Sequence, residues 1–235
     1  MTDILENLAQ INERLHIACS SAGRDPEQVR LVGVTKTVAI ERIRQAVAAG
    51  VSVLGENYVQ EARRKIDNLA DLKPEWHFIG HLQSNKARVA VESFDWVHSL
   101  DRHSLAETLN REALKRGRPL PVLIQVNVGD EQSKSGLAPE QVPVFYRSIA
   151  PLEGLQVRGM MALPPYLDEP ELVRPYFRQV VLLLEQLRHT AAHPEELTEL
   201  SMGMSHDFEV AIEEGATLVR VGTALFGARP VAGKS

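Results

Sequence analysis

Lys36 closes the apolar run "VRLVGVTK" in a chain of 235 residues. If that run is a strand, alternation puts Val32, Val34 and Lys36 on one face, opposite Leu31, Gly33 and Thr35. An ammonium among apolar neighbours is pushed toward the neutral amine, which condenses with an aldehyde or ketone to an imine. A lysine that snorkels outward from the strand end, or one that pairs with Glu56, fits the same spacing. A second cluster lies in "LSMGMSHDFEVAIEEGATLVRVGTALFGAR", Leu200 to Arg229. Ser201 and Gly203 precede a helical pattern there, while Gly222 and Thr223 end the last strand. Both segments offer backbone N–H groups with little steric cover, which suits a phosphate; glycines that simply permit turns are the competing reading. Arg220 shares a face with Gly222, and a buried guanidinium needs an acceptor. That acceptor is either a ligand atom or one of Glu209, Glu213 and Glu214.

Such a site needs a scaffold that carries residue 36 to residues 201–223. From Thr2 to about Ser21, Ile4, Leu8, Ile11, Leu15 and Ala18 recur at helical spacing, with Thr2 or Asp3 as the cap. Eight short runs rich in Val and Ile follow: "VRLVGVTK", "VSVLGE", "WHFIG", "WVHSL", "PVLIQVNVG", "LQVRGMMAL", "ELSMG" and "LVRVGTALFG". Between them the spacing predicts helices near 38–49, 58–72, 82–93, 103–117, 139–150, 172–192 and 206–214, several closed by Gly50, Gly117 and Gly215. Every gap is long enough for a crossover helix, so the sheet is parallel. The fold class is α/β, a single β/α (TIM-type) barrel with an extra N-terminal helix. An open doubly wound sheet alternates in the same way, but its glycine-rich first turn is missing from "VTKTVA". No linker divides the chain. One domain spans 1–235, with 1–28 a helical segment packed on the barrel and 228–235 a short tail.

In such a barrel, chemistry gathers at the C-terminal strand ends. At or just beyond those ends stand Lys36, Asn57, His81, Ser99, Asn127, Met160, Ser201 with Gly203, and Gly222 with Thr223. Loops after strands seven and eight commonly hold phosphate in this fold. An imine-forming lysine beside a phosphate cradle calls for a phosphorylated aldehyde. Pyridoxal phosphate is one, and its ring nitrogen would accept from Arg220. Because arginine does not surrender its proton, that nitrogen stays unprotonated and the ring is a weaker electron sink.

The motifs "VGVTK", "GENYVQEA", "WHFIGHLQSNK", "GMMAL" and "LSMGMSHDFEVAIEEGATLVRVGTALFG" together resemble the pyridoxal phosphate homeostasis family, from about residue 29 to 227. The resemblance implies the alanine racemase N-terminal fold, a fold-type III pyridoxal phosphate protein. It implies Lys36 as the internal aldimine, phosphate contacts from Ser201, Gly203, Gly222 and Thr223, and Arg220 at the pyridine nitrogen. Asn57 and His81 look like ring or hydroxyl neighbours, and Met160 joins them at the sixth strand end. His81 as a solvated loop residue and His77 as core or loop fit equally. Members are thought to bind, buffer or hand over pyridoxal phosphate, influencing amino-acid and keto-acid balance, without established catalysis. Racemisation needs acid and base groups on both faces of the substrate carbon, and alanine racemases take the second from another domain. The chain stops eight residues after Gly227, so the expected site is open and exchanges its cofactor.

A net charge of −5, with 24% charged residues interspersed, gives no basic face for nucleic acid or membrane. A single cysteine, no secretory signal and no apolar run near the roughly 20 residues of a membrane span point to a soluble cytoplasmic protein. No metal is expected, since the eight histidines lack ligand spacing. "SHD" at Ser205 to Asp207 is no triad; Ser205 reads as the cap of the following helix, with Asp207 at its positive end. "DEQSKSG", Asp130 to Gly136, reads as a solvated turn, with a lid as the alternative. Expected partners are pyridoxal phosphate and either apo pyridoxal-phosphate enzymes or a regulatory protein, and the expected state is monomeric. Two rival functions are a weak amino-acid racemase and a Schiff-base aldolase acting through Lys36 without a cofactor.

Overall fold

The computed structural model describes residues 3–129 and 135–227. Its strands are β1 (Arg30–Val34), β2 (Val53–Glu56), β3 (Glu75–Phe78), β4 (Trp96–Leu100), β5 (Leu120–Val126), β6 (Leu155–Ala162), β7 (Glu199–Met204) and β8 (Leu218–Val221). They form a closed parallel barrel in chain order, with β8 returning to β1. Closure excludes the open sheet. The helices are α1 (Ile4–Ser21), α2 (Ile40–Ala48), α3 (Val59–Asn68), α4 (Ala87–Ser93), α5 (His103–Arg116), α6 (Val142–Ile149), α7 (Arg174–Thr190), α8 (Phe208–Glu213) and α9 (Thr223–Phe226). The last strand is shorter than its apolar run. It stops at Val221, and "TALF" coils into α9 with Leu225 and Phe226 N–H groups on the Gly222 carbonyl.

The periodic face of α1, Ile4, Leu8, Ile11, Leu15 and Ala18, is buried against α2, α8 and α9. Asp3 caps it by accepting from Leu5 N–H at 2.9 Å. Arg14 pairs with Glu209, and Asn7 donates to the Leu225 carbonyl. The segment that opens the chain thereby braces the two helices flanking the last strand.

Two apolar clusters separate the inside of the barrel from its outside. Val32, Val53, Leu123, Met161 and Leu218 pack together within it, while the larger cluster fills the space between strands and helices. Met160 belongs to the outer cluster and not to the mouth. The cause is a bulge: β5 and β6 pair Val122 with Val157 but Leu123 with Gly159, so Arg158 is an extra residue and every later side chain changes face. Met161 takes the inward place. Gly159 makes this possible at φ +149°, where an added Cβ would overlap the Glu199 carbonyl. Gly159→Ala is therefore expected to cost about 3 kcal/mol or more, read by urea unfolding. A loss under about 1 kcal/mol would contradict this account of the bulge.

Candidate functional site

Lys36 follows β1 in a tight turn that a buried ion network holds. Lys65 Nζ, on α3, donates to the Thr35 carbonyl (2.5 Å), to Glu56 Oε1 (2.6 Å) and to Glu61 Oε1 (2.7 Å). Thr35 Oγ1 also donates to Glu56, and Thr37 N–H to Glu61. Thr37 sits at φ +64°, a left-handed conformation that a β-branched residue adopts only under constraint. Burial outweighs Lys65 and Thr35 at Glu56 and holds its carboxyl above the usual range. At Glu61 burial is outweighed by the bonds from Lys65 and Thr37, and the carboxyl sits below it. Glu56, weighed as a partner for Lys36, is engaged by Lys65 and Thr35.

Lys36 lines a cavity of about 210 Å³ with Val34, Arg42, Gly222 and Thr223. The first and last strand ends, 186 residues apart in sequence, meet there because β8 pairs with β1. Gly222 and Ala224 N–H converge on Ser205 Oγ at 3.2 and 3.3 Å. Ser205 thus caps α9 and not the helix that follows it, because the bulge in β7 (Ser201 opposite Leu218, Met204 opposite Arg220) turns the chain toward β8. Asp207 starts α8 and accepts from Met204 N–H at 2.6 Å, while His206 meets the Leu167 and Asp168 carbonyls. The three "SHD" side chains diverge, as the sequence implied. Gly203, at φ +86°, lies so close to α8 that a Cβ would come within 2.9 Å of Phe208 Cα. Helix packing accounts for this glycine.

Arg220 is buried and donates to Ser201 Oγ (2.6 Å) and the Ala162 carbonyl (2.9 Å). Glu209, Glu213 and Glu214 are taken by Arg14, Arg174 and Arg178. Among the described residues no carboxylate reaches ion-pair distance of Arg220. Burial, opposed only by the more distant charge of Asp207, pushes its guanidinium down to about 10. Val219 and Val221 face the helices, as alternation predicted.

Asn57 and His81 share a separate cavity of about 400 Å³ with Gly80 and Lys86. His81 is half exposed and meets Ser135 Oγ at 3.0 Å. Asn57 Oδ1 and Ser99 Oγ, at the ends of β2 and β4, are buried without a hydrogen-bond partner among the described residues. Sequence reading missed His98, which touches both Ser201 and His77, although its alternation with Trp96 in "WVHSL" carried the signal. It also missed Lys65, visible only as a Glu61 partner at i,i+4 spacing. Residues 130–134 of the polar loop and the 228–235 tail lie outside the described residues. Among the described residues no group of three metal-ligating side chains forms, and no helix is long and apolar enough to cross a membrane.

Residues 7–230 match the family model of the alanine racemase N-terminal domain. The pyridoxal phosphate homeostasis protein of Aquifex aeolicus is 47% identical over 224 residues, 95% of this chain and 97% of that protein. The chain belongs to this family. The Escherichia coli K12 homeostasis protein is 43% identical, covering 97% of this chain and 98% of its own. PipY of Synechococcus elongatus, solved with PLP bound, superposes with a TM-score of 0.84 at 39% identity, covering 96% of this chain and all of that one. Alanine racemase of Corynebacterium glutamicum shares the fold at 18% identity and TM-score 0.68, this chain spanning 64% of its length.

Lys65→Met strands the Glu56 carboxylate in the protein, an expected loss of about 3–5 kcal/mol at neutral pH. Without its cation, Glu56 rises further above its unfolded value, so folding takes up a proton and stability returns as pH falls through that raised value toward the unfolded one. Urea unfolding from neutral to mildly acidic pH reads this recovery. A deficit relative to the wild type that stays constant with pH would contradict it.

Proposed function

We propose that this chain is a cytoplasmic carrier of pyridoxal phosphate, one domain acting as a monomer, that holds, buffers and hands over the cofactor without turnover. The carrying observation is a lysine just beyond β1 and the glycine-terminated end of β8 sharing one cavity, with Arg220, a buried guanidinium that no carboxylate among the described residues neutralises, two residues before that glycine on β8. Bound there, pyridoxal phosphate supplies an aldehyde carbon that forms a C=N bond to Lys36 Nζ with loss of water, and an electron-withdrawing ring. The Lys65 network fixes the turn that presents Lys36. Gly222 and Ala224 N–H, already aimed at one oxygen, hold phosphate with Thr223, while the Ser205 hydroxyl turns from acceptor to donor. Arg220 donates to the ring nitrogen and keeps it unprotonated. Ser201 orients that guanidinium, and Gly203 keeps α8 close. Asn57 and His81, expected as ring neighbours, line the separate cavity at the ends of β2 and β3 and take no part in this site.

The absence of turnover rests on the cavity lining. Lys36 and Arg42 are its only ionisable side chains among the described residues, and proton transfer across a substrate carbon needs an acid and a base on opposite faces. The names of the relatives support the same reading.

Wild-type protein is expected to bind pyridoxal phosphate with a visible absorption band. Lys36→Ala should fold, lose the band and bind about 100-fold more weakly, a loss near 2.7 kcal/mol. Prolonged incubation with single amino acids, followed by chiral chromatography, should leave their configuration unchanged. Robust racemisation would overturn the carrier reading, and a colourless wild type would overturn the site.

A further inference from the structure

A line of polar groups crosses the barrel interior from its N-terminal end to its mouth. His77 Nε2 lies 3.0 Å from Glu75 Oε1, His98 Nε2 lies 2.9 Å from His77 Nδ1, and Ser201 Oγ lies 3.0 Å from His98 Nδ1. Arg220 Nη1 completes it at 2.6 Å from the same Oγ. His77, His98 and Ser201 are fully buried, while Glu75 is one-third exposed and pairs with Arg30 at 3.1 Å.

The two ends, together with burial of the rings between them, set the direction of the bonds. Arg220 only donates, and Glu75, held below the usual carboxyl range first by its bond from His77, only accepts. Burial keeps both histidines neutral, so His77 donates through Nε2 to Glu75 and accepts at Nδ1 from His98 Nε2–H, while Ser201 accepts from Arg220 and donates to His98 Nδ1. Burial pushes both imidazoles down, His98 well below the ordinary value, against Glu75 and Asp95 and with Arg30 and Arg220. Apolar side chains would fill this space at lower cost. Four aligned bonds in a low-dielectric interior polarise one another and carry the carboxylate's influence to the Arg220 guanidinium.

We propose that His98, His77 and Glu75 are positioning residues for the cofactor: their one-way hydrogen-bond chain fixes Ser201 as the acceptor of Arg220 and transmits the Glu75 charge to the guanidinium, setting electron demand at the pyridine nitrogen from the far end of the barrel. This rests on the reading that Arg220 meets that nitrogen. Arg30, by neutralising Glu75, opposes the effect.

The first test uses the unloaded protein. Nitrogen-15 NMR should find both rings as the Nε2–H tautomer across neutral pH, and Glu75→Gln should move the Arg220 Nη resonances although the two residues do not touch. Other tautomers, or unmoved resonances, would overturn the chain whether or not pyridoxal phosphate binds. The second test titrates the visible band of the loaded protein with pH. Glu75→Gln should lower its midpoint and Arg30→Gln raise it, each by about half a pH unit or more. In a His98→Leu background the Glu75→Gln shift should fall below half. A loaded protein whose midpoint ignores all three changes, or shifts equally with and without His98, would overturn the inference while leaving the carrier reading intact.

Discussion

A guanidinium buried without a carboxylate is the constraint around which this barrel is organised. Desolvation of Arg220 costs free energy, lowering its pKa, and its bonds to Ser201 and the Ala162 carbonyl are neutral partners that bring no opposite charge to offset it. The protein had acids to spare: Glu209, Glu213 and Glu214 all lie on or next to α8, yet each faces outward to an arginine. Leaving Arg220 unpaired keeps its remaining donors available to an acceptor arriving from the mouth. The polar residues of the interior are arranged about that charge.

Barrel closure supplies the second half of the geometry. A lysine after the first strand and glycines after the last become neighbours only because β8 hydrogen-bonds to β1. The Lys65 network then holds the Thr35–Lys36–Thr37 turn against the strain at Thr37, about 1–3 kcal/mol for such a backbone. Lys65 and Lys36 divide the labour: one is a buried structural cation bound to two carboxylates, the other faces the cavity.

Strand order and helix positions were legible because alternation of short apolar runs with amphipathic segments has few solutions at this length. Facing was legible wherever a strand is regular: Val32 against Leu31 on β1, or Arg220 against Val219 and Val221 on β8, follow from parity alone. Parity fails at bulges. Met160, named for its place at a strand end, faces outward because Arg158 is an extra residue, and Ser205, read as the cap of its own helix, reaches α9 because β7 carries another. These shifts arise from pairing between strands, which a single strand's pattern does not contain. His98 was legible in principle, since it alternates with Trp96, but a histidine in a strand announces neither its partner nor its tautomer. The Lys65 contacts with Thr35 and Glu56 join residues 30 and 9 positions apart, which no local pattern encodes.

The central claim is a covalent bond to one particular amine. Incubating the protein with pyridoxal phosphate, reducing with borohydride and mapping the peptides by mass spectrometry addresses it directly. The account predicts a single reduced adduct on the peptide containing Lys36, absent when free phosphate competes at high concentration. An adduct spread over several lysines, or placed on Lys65 with Lys36 unlabelled, would contradict it.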